Sequence, residues 1–205
     1  MLPEPYYRTE NGVLYHGDCL EILPHLEQVD LVLTDPPYGI NIANNPFRQK
    51  FTKSDWDKTT PTERVFDLIL DCSKNQIIWG GNYFNLPQSQ CFLVWDKQQQ
   101  ENFSSSMVEQ AWVSQQRPAK LFKKRVVEYT KFHPTQKPES LFVWCIEFSK
   151  TTGTVLDPFL GSGTTAVACE RLGRKWIGIE LEEKYCQIAV DRIKKETQQL
   201  RIPGC

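Results

Sequence analysis

The chain has 205 residues, of which 40% are hydrophobic and 24% charged, and its net charge is −1. This length and composition suit a single globular domain, residues 1–205, with a substantial core. We find no signal-like N-terminal segment and no apolar run of the roughly 20 residues that a membrane span needs, so we expect a soluble cytoplasmic protein without a membrane partner. The seven cysteines and three histidines show no metal-ligand spacing, so we expect reduced thiols and no metal.

Short runs rich in β-branched and aromatic residues alternate with helix-like segments along the chain. Strands are predicted at residues 13–16, 31–34, 76–79, 92–95, 107–113, 154–156 and 176–179. Helices are predicted at residues 21–27, 61–72, 138–149, 164–172 and 183–200. This alternation indicates an α/β fold with a mostly parallel twisted sheet and helices on both faces. Segments 41–58 and 96–106 fit neither pattern, and long irregular segments of this kind are often functional loops.

Positive charge is concentrated between Ser114 and Lys137. That stretch has seven basic residues and one acid, a charge of +6, and the remainder of the chain is at −7. Basic residues interleaved with aromatic ones are typical of a surface that contacts a phosphate backbone, although a solvated surface explains the same pattern equally well. The candidate DNA-contacting residues are Arg117, Lys120, Lys123, Lys124 and Arg125.

A glycine-rich turn lies near the C-terminus. The predicted strand ending at Leu156 is followed by Asp157-Pro158-Phe159-Leu160-Gly161-Ser162-Gly163 and a helix from Thr164, so a ligand could approach the backbone at the helix N-terminus. The next strand ends at Glu180, 17 residues after Gly163, close to the spacing at which an acid reaches a nucleotide ribose.

The glycine turn lacks two features of phosphate-binding loops. The third glycine of a dinucleotide fingerprint is missing, and no lysine follows Gly163 as in a Walker loop. A ligand with ribose hydroxyls but no phosphates, such as S-adenosylmethionine, therefore fits better than a nicotinamide dinucleotide, which stays as an alternative. Asp157 could then pair with the methionine ammonium group.

The run Asp35-Pro36-Pro37-Tyr38 follows the predicted strand 31–34. It resembles the catalytic motif of beta-class DNA amino-methyltransferases, the N4/N6 DNA methylase family, and residues 157–163 resemble the cofactor motif of that family. His133-Pro134-Thr135-Gln136-Lys137-Pro138 resembles the tenth motif, Gly17-Asp18-Cys19 the third and Gly80-Gly81-Asn82-Tyr83 the fifth. The resemblance implies a Rossmann-like, S-adenosylmethionine-dependent methyltransferase fold with a circularly permuted motif order, acting on double-stranded DNA.

The catalytic roles follow from this resemblance. Asp35 and the carbonyl of Pro36 would accept hydrogen bonds from an exocyclic amine, freeing its lone pair for attack on the sulfonium methyl group. Pro36 and Pro37 would fix the backbone of the loop, and Tyr38 would stack on a base rotated out of the duplex. Aspartate at the first position resembles the adenine-N6 branch of the family, whereas the cytosine-N4 branch, our alternative, more often has serine there.

The resemblance also assigns residues to the cofactor. Glu180 would accept hydrogen bonds from the ribose hydroxyls, and Asp18 would face the adenine, although a helix N-cap explains Asp18 equally well. His133, Thr135 and Lys137 would approach the cofactor carboxylate. The full candidate set is Asp18, His133, Thr135, Lys137, Asp157, Phe159, Gly161, Gly163, Thr164, Thr165 and Glu180.

Segment 96–132 is short for an independent sequence-reading module. We therefore interpret it as a compact target-recognition segment within the single domain and expect short or relaxed specificity. A non-catalytic DNA-binding protein that keeps the fold is a further alternative. A prokaryotic or phage source is expected, and a homodimer and a restriction partner are left open.

Overall fold

The computed structural model describes residues 1–40, 60–100, 106–129 and 136–200. The helices are α1 (Cys19–Ile22), α2 (Glu63–Asp71), α3 (Glu139–Ser149), α4 (Thr164–Arg171) and α5 (Glu183–Leu200). The strands are β1 (Tyr7–Arg8), β2 (Gly12–His16), β3 (Leu31–Thr34), β4 (Gln76–Trp79), β5 (Cys91–Asp96), β6 (Val108–Val113), β7 (Lys120–Lys123), β8 (Val155–Asp157) and β9 (Trp176–Glu180).

The strands form one mostly parallel sheet in the order β1-β2-β9-β8-β3-β4-β6-β5-β7. Its centre, from β2 to β4, is parallel throughout, and β6 pairs antiparallel with both β4 and β5. Because parallel strands end at the same edge, the loops that follow β2, β9, β8, β3 and β4 collect at one side of the molecule. Four of the sequence motifs begin at the ends of these strands or directly after them.

Helices cover both faces of the sheet, as the sequence predicted. Side chains of α3, α4 and α5 pack with one face, where Leu31, Leu33, Leu141 and Cys186 are fully buried. Helices α1 and α2 cover the other face through residues such as Ile22 and Ile69. The strands that are buried on both faces are continuous apolar runs, the pattern expected of a parallel sheet.

The predicted elements agree with the structure except at one helix and two edge strands. The helix predicted at residues 21–27 is wrong: α1 ends at Ile22, and a 3-10 turn, Leu23–His25, follows it. Pro24 explains the change, because proline has no amide proton and its ring clashes with the carbonyl of a preceding α-helical turn. The short edge strands β1 and β7 were not predicted, since neither carries an alternating apolar pattern.

The candidate recognition segment 96–132 belongs in part to the sheet. Strand β6 lies between β4 and β5, and β7 forms the outer edge beside β5. The irregular segment predicted at residues 41–58 lies outside the described residues, as do residues 101–105 of the second one. Within the described part of the chain, no helix is long and apolar enough to cross a membrane, and no group of side chains has the makeup of a metal site.

Candidate active site

A cavity of about 250 Å³ lies at the edge where the parallel strands end. It is lined by residues that follow β2, β3, β8 and β9, and by the segment before α3. The candidate site residues that line it are Asp18, Asp35, Pro37, Lys137, Asp157, Phe159, Gly161, Thr164 and Glu180. Residues far apart in the sequence thus share one enclosure.

Other candidates lie beside the cavity or outside the described residues. Four candidates are not among the residues that line the cavity: Pro36, Tyr38, Gly163 and Thr165. Thr165 donates its hydroxyl proton to Asp157, and Gly163 is the N-cap of α4, with a φ of +86° and close to Ala189. His133 and Thr135 fall outside the described residues, so their expected contact with the cofactor carboxylate stays a prediction.

Asp157 ties the cofactor loop to the neighbouring strand. Its Oδ1 accepts hydrogen bonds from the Thr34 hydroxyl at 2.7 Å and from the Phe159 amide at 3.0 Å. Burial raises the pKa of Asp157 to about 6, against the opposing effect of the bonds from Thr165 and Thr34. Asp157 therefore shapes the loop and carries a carboxyl group that is easily protonated. Its expected pairing with a methionine ammonium group stays a prediction.

Glu180 is held by the backbone on both sides. Its Oε2 accepts a hydrogen bond from the Gly161 amide at 2.7 Å, and its Oε1 accepts one from the Glu182 amide at 2.8 Å. Each oxygen keeps a further lone pair, so two more donors can be accepted. Burial raises the pKa of Glu180 to about 7. The carboxyl group is thus fixed in position and poised to ionise near neutral pH.

Both interpretations of Asp18 are compatible with its position. Its side chain accepts a hydrogen bond from the Leu20 amide at 2.9 Å, which is the N-cap of α1. The same residue lines the cavity. The capping interaction fixes the carboxylate where a ligand in the cavity can meet it.

Asp35 follows β3, and both of its carboxylate oxygens are hydrogen-bonded. Its Oδ1 accepts the hydroxyl proton of Tyr38 at 2.6 Å, and the Lys137 ammonium lies 2.7 Å from both carboxylate oxygens. Burial raises the pKa of Asp35, and Lys137 opposes that effect. The sequence assigned Lys137 to the cofactor carboxylate; the structure instead directs its ammonium to the catalytic motif, while the residue still contributes to the cavity wall.

The ring of Tyr38 is fixed between two aromatic residues and a glycine. It stacks on Tyr83 with ring centroids 4.8 Å apart and an interplanar angle of 11°, and it meets the edge of Phe84 at 6.2 Å. Gly80 has a φ of +70°, and a Cβ atom there would lie 2.1 Å from Cε1 of Tyr38. The predicted fifth motif therefore has a physical role, since it leaves room for the tyrosine of the catalytic motif.

Two charged residues near the site were not found from the sequence. Glu109 on β6 forms an ion pair with Lys137 at 2.8 Å. Arg192 on α5 donates hydrogen bonds to the carbonyl and hydroxyl oxygens of Ser162 in the glycine turn, and to Glu139 at 2.8 Å. Both residues reach the site from distant parts of the chain. Helical spacing places Arg192 on the buried stripe of its helix, but no local pattern indicates what it contacts.

The basic residues of the predicted DNA-contacting surface differ in their surroundings. Lys120, Lys123 and Arg125 are exposed on and after the edge strand β7, and Lys124 is half-buried. Arg117 is engaged within the protein: its guanidinium donates to the carbonyl of Phe148 and lies 4.4 Å from the centre of that ring. A contact between these residues and DNA stays a prediction.

Comparison with known proteins identifies the family. The DNA methylase family model, N6_N4_Mtase, matches residues 63–191, well over half of the chain. The chain belongs to this DNA methylase family. Methylases of this family take the methyl group from S-adenosylmethionine, the cofactor inferred from the glycine turn. The matched residues include that turn, and the catalytic motif lies N-terminal to them.

Two curated relatives cover nearly the whole chain. The type II methyltransferase M2.LlaDCHI of Lactococcus lactis subsp. cremoris is 28% identical over 95% of this chain and 94% of the relative. The type II methyltransferase M2.DpnII of Streptococcus pneumoniae is 27% identical over 97% of this chain and 95% of the relative. The first alignment runs over 258 positions, more than the 205 residues of this chain. That relative therefore contains segments that this chain lacks.

Solved structures share the fold. The complex of M1.HpyAVI with S-adenosylmethionine has a TM-score of 0.59 at 24% identity, covering 88% of this chain and 98% of the other. PvuII DNA methyltransferase, which is cytosine-N4-specific, has a TM-score of 0.63 at 19% identity, covering 95% and 93%. At these identities the likeness supports the Rossmann-like methyltransferase fold alone.

Gly80→Ala should disrupt the site through Tyr38. The alanine is strained at positive φ, and its methyl group would overlap the ring of Tyr38, so we expect DNA methylation to fall about tenfold or more. Gly173→Ala is the matched control, because Gly173 has a φ of +62° and a Cβ atom there would meet nothing within 4 Å. Both variants should lose about 1–2 kcal/mol of stability to strain. Equal methylation rates in the two variants would contradict a role for Gly80 in placing Tyr38.

Proposed function

We propose that this protein transfers a methyl group from S-adenosylmethionine to the exocyclic N6 of adenine in double-stranded DNA, on a base rotated out of the duplex. The observation that carries the proposal is the joint placement of Asp35 and Glu180 on one cavity. Asp35 belongs to the catalytic motif and Glu180 to the cofactor-binding region, and the pairing of β3, β8 and β9 brings them together.

The residues present fit S-adenosylmethionine. Among the described residues, five acids, Asp18, Asp35, Asp157, Glu180 and Glu182, line the cavity with one base, Lys137. An acidic cavity favours a ligand with a sulfonium and an ammonium charge, and it repels the pyrophosphate of a dinucleotide. Glu180 would hold the ribose hydroxyls with its free lone pairs. The loop Phe159 to Gly161 would border the methionine end.

When bound, S-adenosylmethionine supplies an electrophilic methyl group on a positively charged sulfur. Asp35 and the Pro36 carbonyl accept hydrogen bonds from the target amine and draw its nitrogen out of conjugation with the ring. The nitrogen lone pair then forms the C–N bond, while the electrons of the broken C–S bond stay on sulfur. Asp35 accepts the surplus proton from the methylated nitrogen and passes it to solvent, a role for which its raised pKa suits it.

Adenine is proposed as the base because aspartate stands first in the catalytic motif, as in the adenine-N6 branch that the chain resembles. Cytosine-N4 is the second candidate, because the fold is shared with a cytosine-N4-specific enzyme. Incubation of the protein with labelled S-adenosylmethionine and duplex DNA, followed by digestion to nucleosides, separates the two. Label in N6-methyladenine supports the proposal, and label in N4-methylcytosine would replace it.

Asp35→Asn should abolish methyl transfer while keeping the fold. The amide is nearly isosteric but carries no charge and cannot take up the proton, so we expect the rate to fall at least about a hundredfold. Affinity for S-adenosylhomocysteine, measured by calorimetry, should stay within about threefold. Asp67→Asn on the exposed side of α2 is the control and should behave like the native protein. Equal loss of transfer and of cofactor affinity in Asp35→Asn would mean that the site is misassigned.

Cofactor affinity should fall as the pH is lowered through 7. The raised pKa of Glu180, about 7, means that its carboxyl group is largely protonated below that pH. Bonds from ribose hydroxyls favour the ionised form, so binding lowers the pKa of Glu180 and releases a proton. We expect roughly tenfold weaker binding of S-adenosylhomocysteine per pH unit below 7, at most. Calorimetry in two buffers of different ionisation enthalpy measures the proton release.

Glu180→Gln is the control for this pH dependence. It should bind S-adenosylhomocysteine more weakly, with an affinity that no longer changes between pH 8 and 7; Asp157, with a pKa of about 6, titrates below that range. A native protein whose affinity is constant from pH 8 to 5.5 would contradict the proposed ribose contact.

Thermal stabilisation by a nicotinamide dinucleotide, and not by S-adenosylhomocysteine, would favour an oxidoreductase.

Neutralising exposed charges beside β7 should flatten the salt dependence of DNA binding. In Lys120→Gln/Lys123→Gln, each lost phosphate contact should lower the slope of log K against log salt by about 0.9. Lys195→Gln on the exposed side of α5 is the matched control and should keep the native slope. Fluorescence anisotropy with a labelled duplex at several salt concentrations measures the slopes. An unchanged slope in the double variant would make the basic stretch an ordinary solvated surface.

A further inference from the structure

Four side chains of alternating charge form a series of ion pairs that ends at Asp35, the proposed catalytic aspartate. Asp35 contacts Lys137 at 2.7 Å, Lys137 contacts Glu109 at 2.8 Å, and Glu109 contacts Lys97 at 2.6 Å. The lysine in the middle is only 3% exposed, and the outer lysine is 11% exposed. Burying charges costs free energy unless they are paired. This series of ion pairs is therefore a specific arrangement that the fold has to maintain.

The two outer members of this series, Glu109 and Lys97, lie on or directly after paired strands of the sheet. Glu109 on β6 lies opposite Trp95 on β5, and the Lys97 amide continues the same ladder by donating to the Met107 carbonyl at 3.0 Å. Lys97 and Glu109 are thus diagonal cross-strand neighbours, which can form an ion pair without distorting either strand. The position of Glu109 is set by two paired strands, whereas Lys137 lies in the loop before α3.

The hydrogen bonds at Asp35 leave room for one more donor on one oxygen. Among the described residues, Oδ1 receives bonds from both the Tyr38 hydroxyl and Lys137, whereas Oδ2 receives one, from Lys137. Each carboxylate oxygen has two lone pairs in the plane of the group. Oδ2 is therefore the oxygen that can accept the amine of a target base. The orientation of the Asp35 carboxylate depends on the position of the Lys137 ammonium, which contacts both of its oxygens.

We propose that Glu109 is a positioning residue for methyl transfer: together with Lys97 it holds the Lys137 ammonium against Asp35, which fixes the carboxylate that receives the target amine. This inference rests on the proposed function of the site. Glu109 does not act on substrate or cofactor. It acts through Lys137, whose ammonium donates hydrogen bonds to Asp35 and the Tyr38 hydroxyl and forms an ion pair with Glu109.

The electrostatics of the cluster agree with this role. Burial pulls the pKa of Lys137 down, but Asp35 and Glu109 outweigh it and raise the pKa above its ordinary value. Burial likewise opposes ionisation of Glu109, yet Lys137 and Lys97 lower its pKa to about 2. Among the described residues, the other titratable groups that face the cluster are Tyr38 in the loop of Asp35, Tyr83 stacked on Tyr38, and Asp157 at the end of β8.

Glu109→Gln tests the proposal, because the amide keeps the shape and removes the charge. Without that charge the pKa of Lys137 should fall, because a carboxylate that favours the ammonium is lost, so the ammonium should be held less firmly and should deprotonate at a lower pH than in the native protein. The single-turnover rate of methyl transfer should then fall about tenfold at pH 8 and decline further at higher pH. Affinity for S-adenosylhomocysteine should stay within about threefold. A merely structural role would lower stability or affinity without adding an alkaline limb to the rate profile.

Lys97→Met is a second variant that touches Glu109 but not Asp35, and it should change the profile in the same direction by a smaller amount. Glu147→Gln, on the exposed side of α3, is the matched control and should keep the native profile. If both cluster variants titrate like the native protein, the positioning role is overturned.

The titration of Lys137 can also be followed without any methyl transfer. Its side-chain resonances in the ligand-free protein, assigned by comparison with Lys137→Arg, report the pKa directly. A lowered pKa in Glu109→Gln supports the proposed hold on Lys137, and an unchanged pKa overturns it. A native protein that methylates no DNA would overturn the proposed function instead. The two failures are therefore distinguishable.

Discussion

The parallel pairing of β3 with β8 is the constraint on which the site depends. The catalytic and cofactor motifs are more than a hundred residues apart in the chain, but their strands are neighbours, with Val32 opposite Leu156. The hydrogen bond from Thr34 to Asp157 closes the two strand ends on each other at 2.7 Å. Since parallel strands end at the same edge of the sheet, this one pairing brings together two loops that are far apart in the sequence.

The positions next to this pair supply the rest of the site. Strand β9 lies beside β8 and ends on Glu180, while β4 lies beside β3 and leads into Gly80. The groups assigned to the cofactor thus follow β9 and β8, and those assigned to the target base follow the neighbouring strands β3 and β4. The cavity spans the boundary between them. This order explains why a circular permutation of the motifs is tolerated, since the spatial order of the strands, and not their order in the chain, determines the site.

The sequence predicted the parts of the fold that depend on local patterns. The central strands and the helices α2 to α5 were placed to within two residues, because apolar runs, prolines and glycines mark them. Helix α1 was predicted to continue to residue 27, because the apolar spacing around Pro24 outweighed the helix-breaking effect of that proline. Strand β7 could not be found from its residues, because it is an edge strand of basic and apolar residues whose pairing with β5 is decided by tertiary structure.

The site was predictable where motifs mark it and not where it depends on long-range contacts. Asp35, Asp157 and Glu180 each follow or end a recognisable strand, so their neighbourhood could be inferred. Glu109 stands in an ordinary strand, and only the antiparallel insertion of β6 between β4 and β5 brings it to Lys137.

The same long-range contact decides the charge of the site. With Lys137 bound by two carboxylates, the cavity presents acids without a free cation of its own among the described residues. Under the proposed function, a positively charged methyl donor would therefore approach Asp35 without net repulsion from Lys137, whose charge the two carboxylates balance.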